Sequence, residues 1–111
     1  MTENNLEWLT NWYVRECNND WEHSYGIKIE TLDNPGWKVE IDLRETGLEG
    51  RWFESEHGEV ASDLDEWREL GSWWIASADG VRFKAVCSPT DLFAVVGVFR
   101  EWAEGCRTEV S

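Results

Sequence analysis

The side chain best placed for chemistry in this sequence is Cys87. It follows the strand-like run Val81 to Val86 and precedes Ser88-Pro89, a helix-start signature. The thiol would therefore stand near the positive end of a helix dipole, where free N–H groups can lower its pKa and create a nucleophile. A rhodanese- or phosphatase-like loop also needs a glycine-rich or basic cradle after the cysteine to hold its anion. Here the following residues are Ser-Pro-Thr-Asp-Leu-Phe, which supply an acid instead of an arginine. Cys87 reads more simply as an apolar residue stapled against Leu92, and a small thiol enzyme using Cys87 stands as the alternative reading.

Other chemistries find less support. Cys17, His23, His57, Cys87 and Cys106 include no pair at the spacing of two to four residues typical of zinc sites, so no metal or other cofactor is expected. Carboxylate pairs are plentiful, but in so acidic a chain any two acids can be matched, and spacing carries almost no information about general acid and base work. A glycine-rich phosphate loop is missing, as is a basic stripe with interleaved aromatics. The expectation is a protein that is not an enzyme.

The elements that would position these residues read as an α+β domain over residues 1–111, an antiparallel sheet of two hairpins with N- and C-terminal helices packed on one face. Asn4 with Glu7 three residues on marks a helix start, and Leu6, Leu9, Tyr13 and Cys17 form its apolar stripe, with Trp12 flanking and Trp8 off it. Asn18-Asn19-Asp20 ends it. The first hairpin is Ile27 and Ile29 against Trp37, Val39, Ile41 and Leu43, alternating with polar partners. Asn34-Pro35-Gly36-Trp37 between them predicts a type II turn with Gly36 at positive φ. Arg51 to Glu54 is a candidate third strand. Ser62 with Asp65 predicts a short helix through Leu70, closed by Gly71.

Asp79-Gly80 predicts a two-residue type I′ turn that pairs Ala78 with Val81, Ala76 with Phe83 and Trp74 with Ala85 on the core side. Alternation sends Trp73, Ile75, Arg82, Lys84 and Val86 to the opposite face, where either another element covers the apolar ones or they form a binding patch. Ser88, Pro89 and Asp91 predict the start of the last helix. Its buried face is Leu92, Val95, Val96, Phe99, Trp102 and Ala103, and Gly105 stops it.

The 111 residues carry 23 acids against 10 basic side chains, a net charge of -13. Nucleic acid and anionic membrane are thus poor partners, and a basic protein is a good one. Acidity alone could serve solubility. Nine tryptophans, however, exceed what one small core needs, and indole is enriched at interface hot spots. No run approaches the roughly 18 apolar residues of a membrane span, and Asn4, Asn5 and Glu7 occupy the place of a leader's basic and apolar regions. Three cysteines, an odd number without close pairing in sequence, argue against a disulfide framework and fit a reducing compartment, and a cytosolic protein is expected.

Several of these segments together resemble a known family. Leu6 to Leu9, Asp20 to His23 (Asp-Trp-Glu-His), Gly26 to Trp37, and Leu92, Phe99 and Trp102 are similar to the corresponding pieces of the immunity protein 53 family of bacterial polymorphic toxin systems. The first forty or so residues match closely. Residues 44–70 match poorly and carry an acidic insertion around Asp63 to Leu70. The resemblance implies a protein that binds and neutralises a toxin encoded beside it, with no particular toxin specified.

Combined with the charge, this predicts a cognate toxin domain with a basic surface as partner, most naturally a nuclease, captured electrostatically and anchored by aromatic side chains. Glu30, Glu40 and Asp42 on the outward face of the first hairpin would steer it, partly neutralised by Lys28 and Lys38, and Trp73 with Ile75 would supply the desolvated centre. Trp8, Trp21 and Glu22 form a second candidate edge. In the other reading of Asp-Trp-Glu-His, Trp21 and Tyr25 plug the core while Asp20 and Glu22 bond to loop backbone. An acidic regulatory or structural subunit with a housekeeping partner is a further alternative.

Overall fold

A computed structural model describes residues 3–109, with side chains through Cys106. In chain order the elements are α1 (Asn5–Glu16), α2 (Trp21–Ser24), β1 (Ile27–Leu32), β2 (Gly36–Asp42), β3 (Trp52–His57), α3 (Leu64–Leu70), β4 (Trp74–Asp79), β5 (Arg82–Cys87) and α4 (Leu92–Glu109). The five strands form one antiparallel sheet in the order β1-β2-β5-β4-β3. Helices α1 and α4 pack on one of its faces, the α+β arrangement expected from the sequence.

Strand alternation decides what lies under the helices. Val39, Ile41, Ala76, Ala78, Phe83 and Ala85 are buried toward Val95, Val96, Phe99 and Ala103 of α4 and toward α1. Phe99 is the hub: its ring meets Phe83 at 5.0 Å, Trp12 at 5.2 Å and Trp8 at 5.8 Å, all edge to face. That geometry suits the ring quadrupole and adds to the area the rings bury.

The face of α1 differs from the expected stripe. Trp8, Leu9 and Trp12 are buried, whereas Leu6, Tyr13 and Val14 are exposed. Two indoles bury far more apolar area than a leucine and a tyrosine, so the helix turns them toward Phe99. The cap is as predicted, with the Glu7 amide donating to Asn4 Oδ1 at 2.8 Å.

Both hairpins depart from the predicted turns. Leu32 pairs with Gly36, leaving Asp33, Asn34 and Pro35 as the loop, and Gly36 lies in β2 without a positive φ. Its missing side chain serves a close approach instead, because a Cβ there would collide with the Cys87 carbonyl on β5. In the second hairpin Ala78 pairs with Phe83, Ala76 with Ala85 and Trp74 with Cys87, a register two residues from the predicted one. The Asp79 carboxylate accepts from the Val81 and Arg82 amides at 3.0 and 2.9 Å, closing a wider turn around Gly80 at φ 85°. A shift of two keeps every side chain on its face, and only Val81 moves out to solvent.

The remaining corrections concern boundaries. Strand β3 extends to His57, beyond the expected Glu54. Helix α3 takes Asp63 as N-cap in place of Ser62, accepting from the Glu66 amide at 2.8 Å. Helix α4 starts at Leu92, after a turn, because the Asp91 carboxylate gathers the Ser72 hydroxyl (2.6 Å), the Ser88 hydroxyl (2.8 Å) and the Trp73 amide (3.0 Å). It runs through Gly105, a residue that costs only about 1 kcal/mol inside a helix and here sits between buried Ala103 and Cys106.

Candidate protein-binding surface

Opposite the helices the sheet presents a second face, and strand register fixes its layout. One row across the strands reads Glu30, Lys38, Val86, Ile75, Glu56, and the next reads Lys28, Glu40, Lys84, Ser77, Glu54. At the far end Asp42 pairs with Arg82, and Trp52 with Asp79. Ile75 is 38% exposed on this face and has Val86 as its cross-strand neighbour, giving a small apolar centre among charges.

The charges are not spread evenly. On β1, β2 and β5 the cations Lys28, Lys38, Arg82 and Lys84 alternate with Glu30, Glu40 and Asp42. Lys38 reaches Glu30 at 3.9 Å. The acids of the first hairpin therefore lie in a nearly balanced lattice. Asp42 is not a surface acid at all, being 6% exposed. Arg44 holds it through Nε at 3.0 Å and Nη2 at 2.7 Å, with Arg82 at 3.6 Å. Burial alone would raise its carboxyl, but the Arg44 bonds and the two guanidinium charges outweigh that and hold it below the usual carboxylate range. The concentrated acidity lies on edge strand β3 and the connection after it, where Glu54 to Glu69 hold seven acids against the single base Arg68.

That connection also explains Trp73. The indole belongs to the open side of β4, since Trp74 next to it packs toward the core, yet it is only 1% exposed and lies outside the main cluster. Leaving β3 at one edge, the chain reaches the β1–β2 turn within four residues, where Asn34 Nδ2 donates to the Ala61 carbonyl at 3.3 Å. Three interstrand steps of roughly 4.8 Å separate those points, so the segment lies across this end of the open face as a strap, returning through α3. Trp73 is thereby buried instead of offered to a partner, and its indole N–H, like that of Trp67, has no acceptor among the described residues.

Two other proposed contact residues are also interior. Trp8 is buried against Phe99, and Trp21 is buried edge-on to Trp12 at 5.8 Å, its Nε1 donating to the Arg44 carbonyl at 3.0 Å. The half-buried Glu22 accepts from the Asn18 and Asn19 amides at 2.9 and 2.7 Å, and its own backbone amide together with these bonds lowers its pKa. Asp-Trp-Glu-His is thus a corner that seals the core. Among the predicted site residues the open face brings together Glu30, Glu40 and Ile75, with Asp42 sunk at its end. It adds Trp52, Glu54, Glu56 and Val86, which sequence reasoning passed over. The alternation Trp52-Phe53-Glu54-Ser55-Glu56 was the available signal, with Phe53 turned inward onto Trp102 at 5.5 Å and Trp52 outward, 76% exposed.

Cys87 lacks the features of an activated thiol. It is fully buried, and burial together with the neighbouring Asp91 charge pushes its pKa up to about 11, the opposite of what a nucleophile at neutral pH requires. Among the described residues no group of three or more His, Cys, Asp or Glu side chains could hold a metal ion, and no helix is long and apolar enough to cross a membrane.

In comparisons with known proteins, residues 6–104 match the family model described as Immunity protein 53. No curated protein and no solved structure matches the chain.

Proposed function

Because the chain belongs to the immunity protein 53 family, we propose that it protects a cell by binding a cognate toxin domain on the open face of its sheet, without chemistry of its own. The observation that carries this reading is the open face itself, left bare by α1 and α4, with an apolar centre at Ile75 and Val86 and an edge whose charge is almost wholly negative.

The mechanism has two stages. The acids of β3 and the α3 segment attract a basic toxin surface and raise the encounter rate, an effect of roughly 10- to 1000-fold at low salt for strongly complementary fields. Docking then desolvates Ile75, Val86 and the indole of Trp52, an exposed aromatic of the type that dominates interface energetics. The alternating charges of β1, β2 and β5 set orientation, since a shifted partner would meet like charges. A nuclease remains the natural basic target, because a protein that grips phosphate needs a positive groove.

Co-expression with the C-terminal toxin domain encoded beside this gene tests the reading. Wild type should restore growth, E54K/E56K should lose protection, and E7K/E101K, with the same charge change on the helical side, should keep it. Equal protection by both variants would move the interface off this face.

A further inference from the structure

At the end of the open face away from the strap lies a cleft of about 380 Å³ whose lining includes Ser24, Lys28, Glu40, Asp42, Arg44 and Arg82. Its construction differs from the rest of this surface. Arg44 forks onto Asp42 through two bonds of 3.0 and 2.7 Å, and its guanidinium lies over the Tyr25 ring at 4.6 Å from the centroid. The Asp42 charge is therefore largely engaged by Arg44. Arg82 is held at 3.6 Å from the same carboxylate and keeps N–H groups without a partner among the described residues. Lys28 faces Glu40 in the register but forms no ion pair with it. Three cations thus line the cleft against two acids, in a protein whose net charge is -13.

Guanidinium groups fixed in place, with spare planar donors, are the arrangement that binds a carboxylate with little ordering cost. We propose that this cleft is a carboxylate socket that receives an Asp or Glu side chain of the bound partner, with Arg82 and Lys28 as the donors and Asp42 and Arg44 as the groups that position Arg82. The partner's identity as a toxin rests on the function proposed above, whereas the socket itself does not. In this arrangement the acidic edge attracts the basic partner, and a lone acid on that partner finds this locally cationic depression, which fixes the docking register.

The socket can be tested on the protein alone. Sodium acetate is titrated against isotopically labelled protein at constant ionic strength, with sodium chloride as reference, while the Nε–H resonances of Arg44 and Arg82 are followed by NMR. Saturable shifts with acetate that exceed those with chloride, and that vanish in R82Q, support the proposal. Shifts equal to those with chloride overturn it, as does saturable binding of inorganic phosphate without any of acetate. Should R82Q lose its dispersed spectrum, K28Q, altered at an exposed position, replaces it with the same expected loss of shift. With the neighbouring toxin domain, R82E should weaken affinity by about thirtyfold or more through faster dissociation. If acetate binds but R82E leaves toxin affinity unchanged, the partner side chain is absent and the proposal fails, while protection by wild type still stands.

Discussion

Asp42 shows how burial changes what a charged residue can do. On the sequence it is one of three acids on an outward strand face, but β2 ends there and the side chain is enclosed between Arg44 and Arg82. Its pKa is lowered in the folded protein, so the folded state holds its proton less tightly than the unfolded chain does. Its contribution to stability is complete above the unfolded carboxylate value of about 4 and is lost as pH falls through the lower folded value. Asp42→Asn should cost about 2 kcal/mol at neutral pH, less than a fully buried pair because the arginines are partly exposed. Urea midpoints measured from pH 7 to pH 3 should converge for the two proteins at the acid end. Tryptophans separate by the same logic. Trp21→Phe removes the donor to the Arg44 carbonyl, whereas Trp73→Phe removes an N–H that has no acceptor among the described residues, so Trp73→Phe should be the less destabilising by about 1 kcal/mol or more in denaturant unfolding. Which residues are indoles was plain from the sequence. Which of them are buried was not, because that depends on Phe99 and on a strap that joins distant parts of the chain.

At the scale of elements, the faces of the strands were readable and their registers were not. Alternation fixed Phe83 and Ala85 inward and Lys84 outward whichever turn joined β4 to β5. The turn itself depended on the Asp79 side chain capturing two amides, a bond that the Asp-Gly signal does not reveal. Gly36 is a second case, where a residue typical of turns proves to be needed for β2 to lie against β5. Gly36→Ala should destabilise the protein by about 1–3 kcal/mol, in the range of core overpacking, measured as a lower thermal or urea midpoint. Gly47→Ala, where a Cβ would meet nothing, should change it far less. Helix α3 was legible as a short capped helix, but the path of the segment before it was not, since only the strand order places the end of β3 three strands from Asn34.

Over the whole molecule, charge is segregated in a way that composition cannot express. A net charge of -13 suggests acid everywhere, yet the open face carries a balanced lattice on three strands and an unbalanced acidic border on β3 and α3. The division follows from strand order, which sets β3 at the edge with its strap and gathers the lysines on β1, β2 and β5. The expectation that the terminal helices leave one side of the sheet uncovered held, but the segment after β3 crosses one end of that side, where Trp73 is buried while Ile75 and Trp52 are exposed. The most direct test is calorimetric titration of the purified protein with the neighbouring toxin domain at about 50 and 500 mM salt, spanning Debye lengths of roughly 14 to 4 Å, for wild type, E54K/E56K and Ile75→Asp. The account predicts tight binding that weakens with salt in wild type, a smaller salt dependence in E54K/E56K, and loss of binding at both salts in Ile75→Asp with its fold intact. Undiminished affinity in a folded Ile75→Asp protein would contradict it.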